Sequence, residues 1–147
     1  MTFTNPQQIK NCLLKGAMNA VAKAQQEVYD KLDEFLVKYY ADYDPHMYER
    51  TKQLMHSLVI TDTKRTGNGY EGYVYFDYNR LDYITGQQPS GYQVITAAAQ
   101  GLHGAMGLHT VPGNSKIDIW DMPISELKRD LMPKLKQYLI DSGIPVK

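Results

Sequence analysis

The chain has 147 residues and a mass of 16.8 kDa, which at roughly 100–200 residues per domain makes 1–147 a single domain. With 43% hydrophobic and 22% charged residues, its composition is that of a globular chain and excludes a disordered one. Sixteen basic residues balance sixteen acidic ones, which argues against unaided binding to a phosphate backbone, and a single cysteine, Cys12, excludes an internal disulfide framework or a multi-cysteine zinc cage.

The first element is a long helix over about 6–41. Asn5 suits the N-cap and Pro6 the first helical position, where a missing N–H costs nothing. Apolar residues then recur every three or four positions at Ile9, Leu13, Ala17, Val21, Ala24, Val28, Leu32, Phe35 and Tyr39, a single apolar stripe. Glu27–Lys31 and Glu34–Lys38 have the i, i+4 spacing of ion pairs on the outer face. Cys12 lies among Ile9, Leu13 and Leu14 and reads as a small buried hydrophobe. At 1.5 Å per residue the helix reaches roughly 50 Å, more than the diameter of a domain this size, so part of the stripe is expected to meet an oligomer partner. Gly16 with Ala17, Ala20, Ala22 and Ala24 permits close approach by a neighbour, or a kink.

Asp42-Tyr43-Asp44-Pro45 ends this helix, because a residue before proline disfavours helical geometry. A short second helix is expected over 46–57, with Met47, Tyr48, Thr51, Leu54 and Met55 at helical spacing. From Leu58 the period changes. Leu58–Thr63 and Tyr73–Phe76 are β-rich and flank Gly67-Asn68-Gly69, so a hairpin is predicted over 58–77. Residues 78–91, with Gly86, Pro89 and Gly91, read as an exposed loop. Tyr92–Gln100 fits a strand or a short helix, and Ala97-Ala98-Ala99 tips it to helix. Lys116–Trp120 alternates like a short strand with Ile117 and Ile119 on one face. The last helix runs over 123–142, is kinked or divided at Pro133, and stops at Gly143 and Pro145. The fold class is therefore α+β: a long N-terminal helix, a short second helix, a small antiparallel sheet and a C-terminal helix.

No nucleotide-binding glycine loop, nucleophile elbow or zinc-binding H-E-x-x-H pattern is present. His103, His109 and Asp118, with Asp121 beyond, are the best metal candidates, but the gap between the histidines runs through glycines and fixes no geometry. They define the alternative reading, a small metal-dependent hydrolase. Asp77, Asp82, Asp118 and Asp121 are more simply read as turn residues that accept backbone N–H groups. Twelve tyrosines stand against three phenylalanines and one tryptophan. The cluster Tyr70, Tyr73, Tyr75, Phe76 and Tyr78 suggests base stacking, but Glu71, Asp77 and Asp82 offset Lys64, Arg65 and Arg80, so packing against a helix or a neighbouring subunit is the plainer reading. The N-terminus carries no signal-peptide pattern, and no apolar run approaches the ~18 residues that a membrane span requires. An intracellular product is expected, with no membrane partner, no cofactor and no bound metal.

The segment Tyr43-Asp44-Pro45-His46-Met47-Tyr48-Glu49-Arg50-Thr51-Lys52-Gln53-Leu54 resembles the Y-x-P-x-x-Y-x-R-T-x-x-L signature of the HK97 gp10-like neck and tail-completion proteins of tailed bacteriophages. In that group a long N-terminal helix precedes the motif, a twisted antiparallel sheet follows, and a helix closes the chain. His103-Gly104 and Ile117–Trp120 are also similar to versions from phages of Gram-positive hosts. Two stretches that many members carry, an acidic-aromatic-Gly-Thr run and an aromatic-proline segment, are not found here. The resemblance implies a non-enzymatic virion structural protein at the head–tail junction, assembled in the host cytoplasm. It also implies copies in a ring, such as a hexamer, in contact with a head-completion or connector protein, a tail terminator or the tail tube. DNA would pass the lumen without specific binding, which neutral charge suits. Tyr43, Pro45, Tyr48, Arg50, Thr51 and Leu54 would carry the assembly motif. A guanidinium at Arg50 can hold a carboxylate or loop carbonyls in a fixed fork.

Overall fold

A helix needs partners for its first N–H groups, and Asn5 supplies one: its side-chain oxygen accepts from the Gln8 N–H at 2.9 Å. In the computed structural model, which describes residues 5–42, 52–67, 69–81, 90–100 and 117–146, α1 then runs unbroken over Pro6–Ala41, about 54 Å long at 1.5 Å per residue. It is not kinked into two helices at its small residues. Gly16 and Ala20 are buried, and a Cβ on Gly16 would lie 2.8 Å from the Ser142 carbonyl oxygen and 3.1 Å from the Ile144 side chain. The small residues therefore serve close packing.

That packing is against α4, Asp121–Asp141. The two helices are antiparallel: Lys31 bridges Glu126 at 3.0 Å, Glu27 meets Lys134 and Tyr138, and Gly16 meets the residues just past the α4 end. Glu34–Lys38 forms as the spacing predicts. Glu27–Lys31 does not, because Glu27 turns to α4 and Lys31 pairs with Glu34 on its own helix and Glu126 on α4. Pro133 lies within α4 without dividing it. It is exposed, so water can reach the carbonyl of Arg129 that a proline cannot satisfy. Gly143, at φ 81°, ends the helix in the left-handed conformation that favours glycine. The Ile144 N–H then bonds the Leu139 carbonyl and the Gly143 N–H the Ile140 carbonyl, each at 2.9 Å, the doubled closure of a Schellman motif.

Between these helices the chain builds a narrow hairpin. β1 (Leu58–Ile60) pairs antiparallel with β4 (Val74–Phe76), with Val59 opposite Tyr75. β2 (Lys64–Arg65) pairs with β3 (Tyr70–Glu71), and Thr66 N–H to Gly69 carbonyl closes the turn at 2.9 Å. Thr61 faces Tyr73 and Lys64 faces Glu71, so Asp62 and Thr63 together stand opposite Gly72, a one-residue bulge. α3, Gly91–Ala99, is a helix, opened by a capping box in which Ser90 and Gln93 satisfy each other's backbone N–H groups. The core gathers on the second half of α1: Leu32, Leu36 and Tyr39 pack with Leu54, Leu58, Leu81, Ala98 and Ile119.

Three expectations need correction. Lys52 sits at φ 56°, ψ 15°, so no helix passes through it, and the described second helix, α2, is the single turn Gln53–His56. The segment 78–91 is not a loop throughout. Tyr78–Arg80 is a 3-10 turn, Leu81 enters the core, Gly91 already belongs to α3, and 82–89 lies outside the described residues. Ile117–Trp120 pairs as no strand. Ile119 is fully buried and its N–H bonds the Ala98 carbonyl at 3.3 Å, so the segment is an extended lead into α4 that alternates because one side is buried.

Candidate assembly surfaces

Two arrangements hold the molecule's surfaces in place. The first is centred on Gln25, a polar residue that α1 buries at 7% exposure. Its amide nitrogen donates to the Thr61 carbonyl at 2.7 Å and the Tyr73 carbonyl at 3.0 Å, and its oxygen accepts from the Thr63 hydroxyl at 2.9 Å. The bulge opens the ladder just beyond this point, so the Thr61 carbonyl turns to Gln25, while the Tyr73 carbonyl accepts from both Gln25 and the Thr61 N–H. Gly72 leaves the space, since a Cβ there would collide with the Gln25 amide. The hairpin is thus pinned to the middle of the helix.

The second is the α1–α4 seam. Hydrogen bonds from Lys134 first and Tyr138 next hold the Glu27 carboxyl below its ordinary range. The same contact with Glu27, aided by burial, pushes Tyr138 up to about 12. Lys23 lies over the Tyr138 ring, 5.6 Å from its centroid. These groups lock the helices side by side, so the register of their ends is fixed.

Beyond that seam no described helix or strand lies beside the first turns of α1. α4 ends opposite Gly16, and the preceding turns of α1 form, with Ile144, an apolar groove of about 490 Å³ lined by Pro6, Ile9, Leu13, Leu14 and Ala17. Ile9 and Leu13 remain 42% and 41% exposed, while Leu14 and Val21 are half-buried. Among the described residues the stripe is therefore not covered at its N-terminal end, as the length arithmetic predicts. Lys10 is the one charged side chain among the described residues that line this groove. Cys12 is half-buried rather than buried, because it sits on a turn that no other described element reaches.

At the other end of α4 a second surface projects. Trp120 and Met122 are 42% and 39% exposed, with Asp121 exposed between them. Asp118 organises this corner. One of its carboxylate oxygens accepts from the Trp120 N–H at 3.0 Å and the Met122 N–H at 2.9 Å, and the Trp120 ring rests against Phe76 with centroids 6.4 Å apart.

The sequence-derived candidates divide accordingly. Leu54 of the motif is a core residue, whereas Tyr43, Pro45, Tyr48, Arg50 and Thr51 lie outside the described residues. So do His103, His109 and Asp82. Asp118 and Asp77 accept backbone N–H groups, as turn aspartates do, and among the described residues no three His, Cys, Asp or Glu gather at metal-binding distance. Of the two packings expected for the tyrosines, three of the five cluster residues do not take the one against a helix of their own chain. Tyr73, Tyr75 and Tyr78 are exposed, and it is Val74 and Phe76 that lie against the core, since alternate strand residues face opposite ways. No described helix is long and apolar enough to cross a membrane.

Two structural features escaped sequence reasoning. Gln25 carries no sign of burial, as its partners lie 36 to 48 positions away. Trp120 and Met122 do carry one: an aspartate two residues before a tryptophan and four before a methionine marks a helix start with apolar residues at its first turn.

A family model described as YomN matches residues 5–141. It spans every helix and strand described above, and it is not that of the HK97 gp10-like group suggested by residues 43–54. No curated protein and no solved structure matches the chain.

Proposed function

The chain belongs to the YomN family of phage-derived, Bacillus-prophage proteins, and from that premise we propose that it is a structural protein of the virion, placed at the head–tail junction and acting by assembly without catalysis. The observation that carries this reading is the apolar start of α1, where Ile9 and Leu13 stay two-fifths exposed in a helix whose other half is fully built into the core. A phage-related chain that keeps a rigid apolar surface uncovered has the form of an assembly component. The motif at 43–54 supports the more specific placement through its resemblance to neck and tail-completion proteins. In this reading copies form a ring around the DNA channel and touch a head-completion protein on one side and a tail terminator or tube on the other.

The experiment is complementation of a phage lacking this gene, with particles counted by electron microscopy. Loss of the protein should give full heads and finished tails that do not join. Arg50→Ala should reproduce part of that defect, and Arg50→Lys should rescue it incompletely, because an ammonium does not reproduce the planar fork. Normal joined particles without the protein would overturn the placement.

A further inference from the structure

We infer that copies of this chain join head to tail, with the Trp120-Asp121-Met122 corner of one copy seated in the apolar groove formed by the start of α1 and Ile144 of the next. The inference rests on the assembly reading for its setting and on the two surfaces for its geometry.

The groove and the corner match in chemistry. The groove is apolar except for Lys10, and α1 carries no Asp or Glu before Glu27. The helix start adds the positive end of its dipole. Among the described residues Lys10 makes no ion pair. An occupant that satisfies this end brings bulky apolar side chains and one carboxylate. The corner offers an indole, a thioether and, between them, the carboxylate of Asp121, which likewise has no ion-pair partner among the described residues. Tryptophan is the side chain that most often anchors an interface. Asp118 and Phe76 already hold this one in place, so little freedom remains to be lost on docking.

Position decides the symmetry. Groove and corner lie at opposite ends of α4, about 30 Å apart for 21 residues. A surface whose complement lies elsewhere on the same chain makes a heterologous contact, which closes into a ring or runs on as a filament. A two-fold pairing of grooves would instead set Lys10 against its own copy.

Sedimentation velocity at rising concentration tests this with four samples: the wild type, Leu13→Asp, Trp120→Ala, and an equimolar mixture of the two variants. The wild type should grow beyond a dimer. Each variant should associate about 30-fold more weakly or worse, the effect of losing an anchor side chain. The mixture should form one complex of two chains and stop, because only one intact groove and one intact corner remain. Lys10→Glu and Asp121→Lys, surface changes that leave the apolar core alone, should each weaken association and together restore it. A wild type that stays monomeric at every concentration overturns the inference, as does a mixture that stays monomeric while the wild type assembles. Association unaffected by Trp120→Ala overturns it too. A chain that assembles in this way but is absent from particle necks overturns the assembly placement and leaves the contact standing.

Discussion

At the scale of single residues the most consequential is Gln25. An amide on a buried helical face is costly unless its polar atoms find partners, and here the hairpin provides three. Gln25→Ala would leave the half-buried Thr61 carbonyl without this donor, while the Tyr73 carbonyl keeps the Thr61 N–H, at a cost of about 1–3 kcal/mol. Gly72→Ala should be as damaging for a different reason, since its new methyl collides with the same amide. The two changes should not add. With Gln25 shortened the space is free, so the double variant should be nearly as stable as Gln25→Ala alone. Urea unfolding of the four proteins measures that coupling, and strict additivity would mean that the hairpin is not held through this contact. None of this was legible in the sequence. Polar residues on a helix are read as outward-facing unless something opposite them is known, and the bulge that receives Gln25 arises from a one-residue difference in pairing between the inner and outer ladder.

Among the elements, what could be read was governed by local chemistry and what could not by distant partners. The start of α1 at Asn5-Pro6, the end of α4 at Gly143 and the helical choice for Tyr92–Gln100 all follow from groups within five residues of one another. Ile117–Trp120 alternates like a strand but has no strand beside it among the described residues, and alternation reports only that one side is buried. Glu27 and Lys31 have the spacing of a pair, yet Glu27 turns to Lys134 of α4 and Lys31 is shared between Glu34 of its own helix and Glu126 of α4. The seam they form carries its own pH dependence. Glu27 raises the Tyr138 phenol from its ordinary 10 to about 12, so the proton on Tyr138 stabilises the seam. That contribution is complete below pH 10 and is lost as pH rises through about 12. Thermal unfolding followed from pH 9 to pH 12 should show melting temperatures falling over that range. Tyr138→Phe, lower at neutral pH, should lose this part of the slope. A Tyr138→Phe curve parallel to that of the wild type would place the titration elsewhere.

For the whole molecule, the assembly proposed above makes the division of α1 into a built-in half and an uncovered half a separation of folding from assembly. Leu32 and Leu36 are fully buried in the core, and truncating either to alanine should cost about 2–5 kcal/mol, as for other large-to-small changes in a core. Ile9 and Leu13, two-fifths exposed on a turn that α4 does not reach, contribute far less to the monomer. Ile9→Gln and Leu13→Gln should therefore change the stability of the isolated chain by no more than about 0.5–1 kcal/mol, while abolishing incorporation into particles. Chemical unfolding at low concentration, where association cannot contribute, reads the first quantity, and particle-bound protein reads the second. The contrast matters because one hydrophobic stripe runs the length of the helix, and its sequence does not distinguish residues kept for the core from those kept for a partner. If the glutamine variants prove as destabilised as Leu32→Ala, the start of α1 is folded against its own chain in solution. The groove would then cease to be a surface available to anything else.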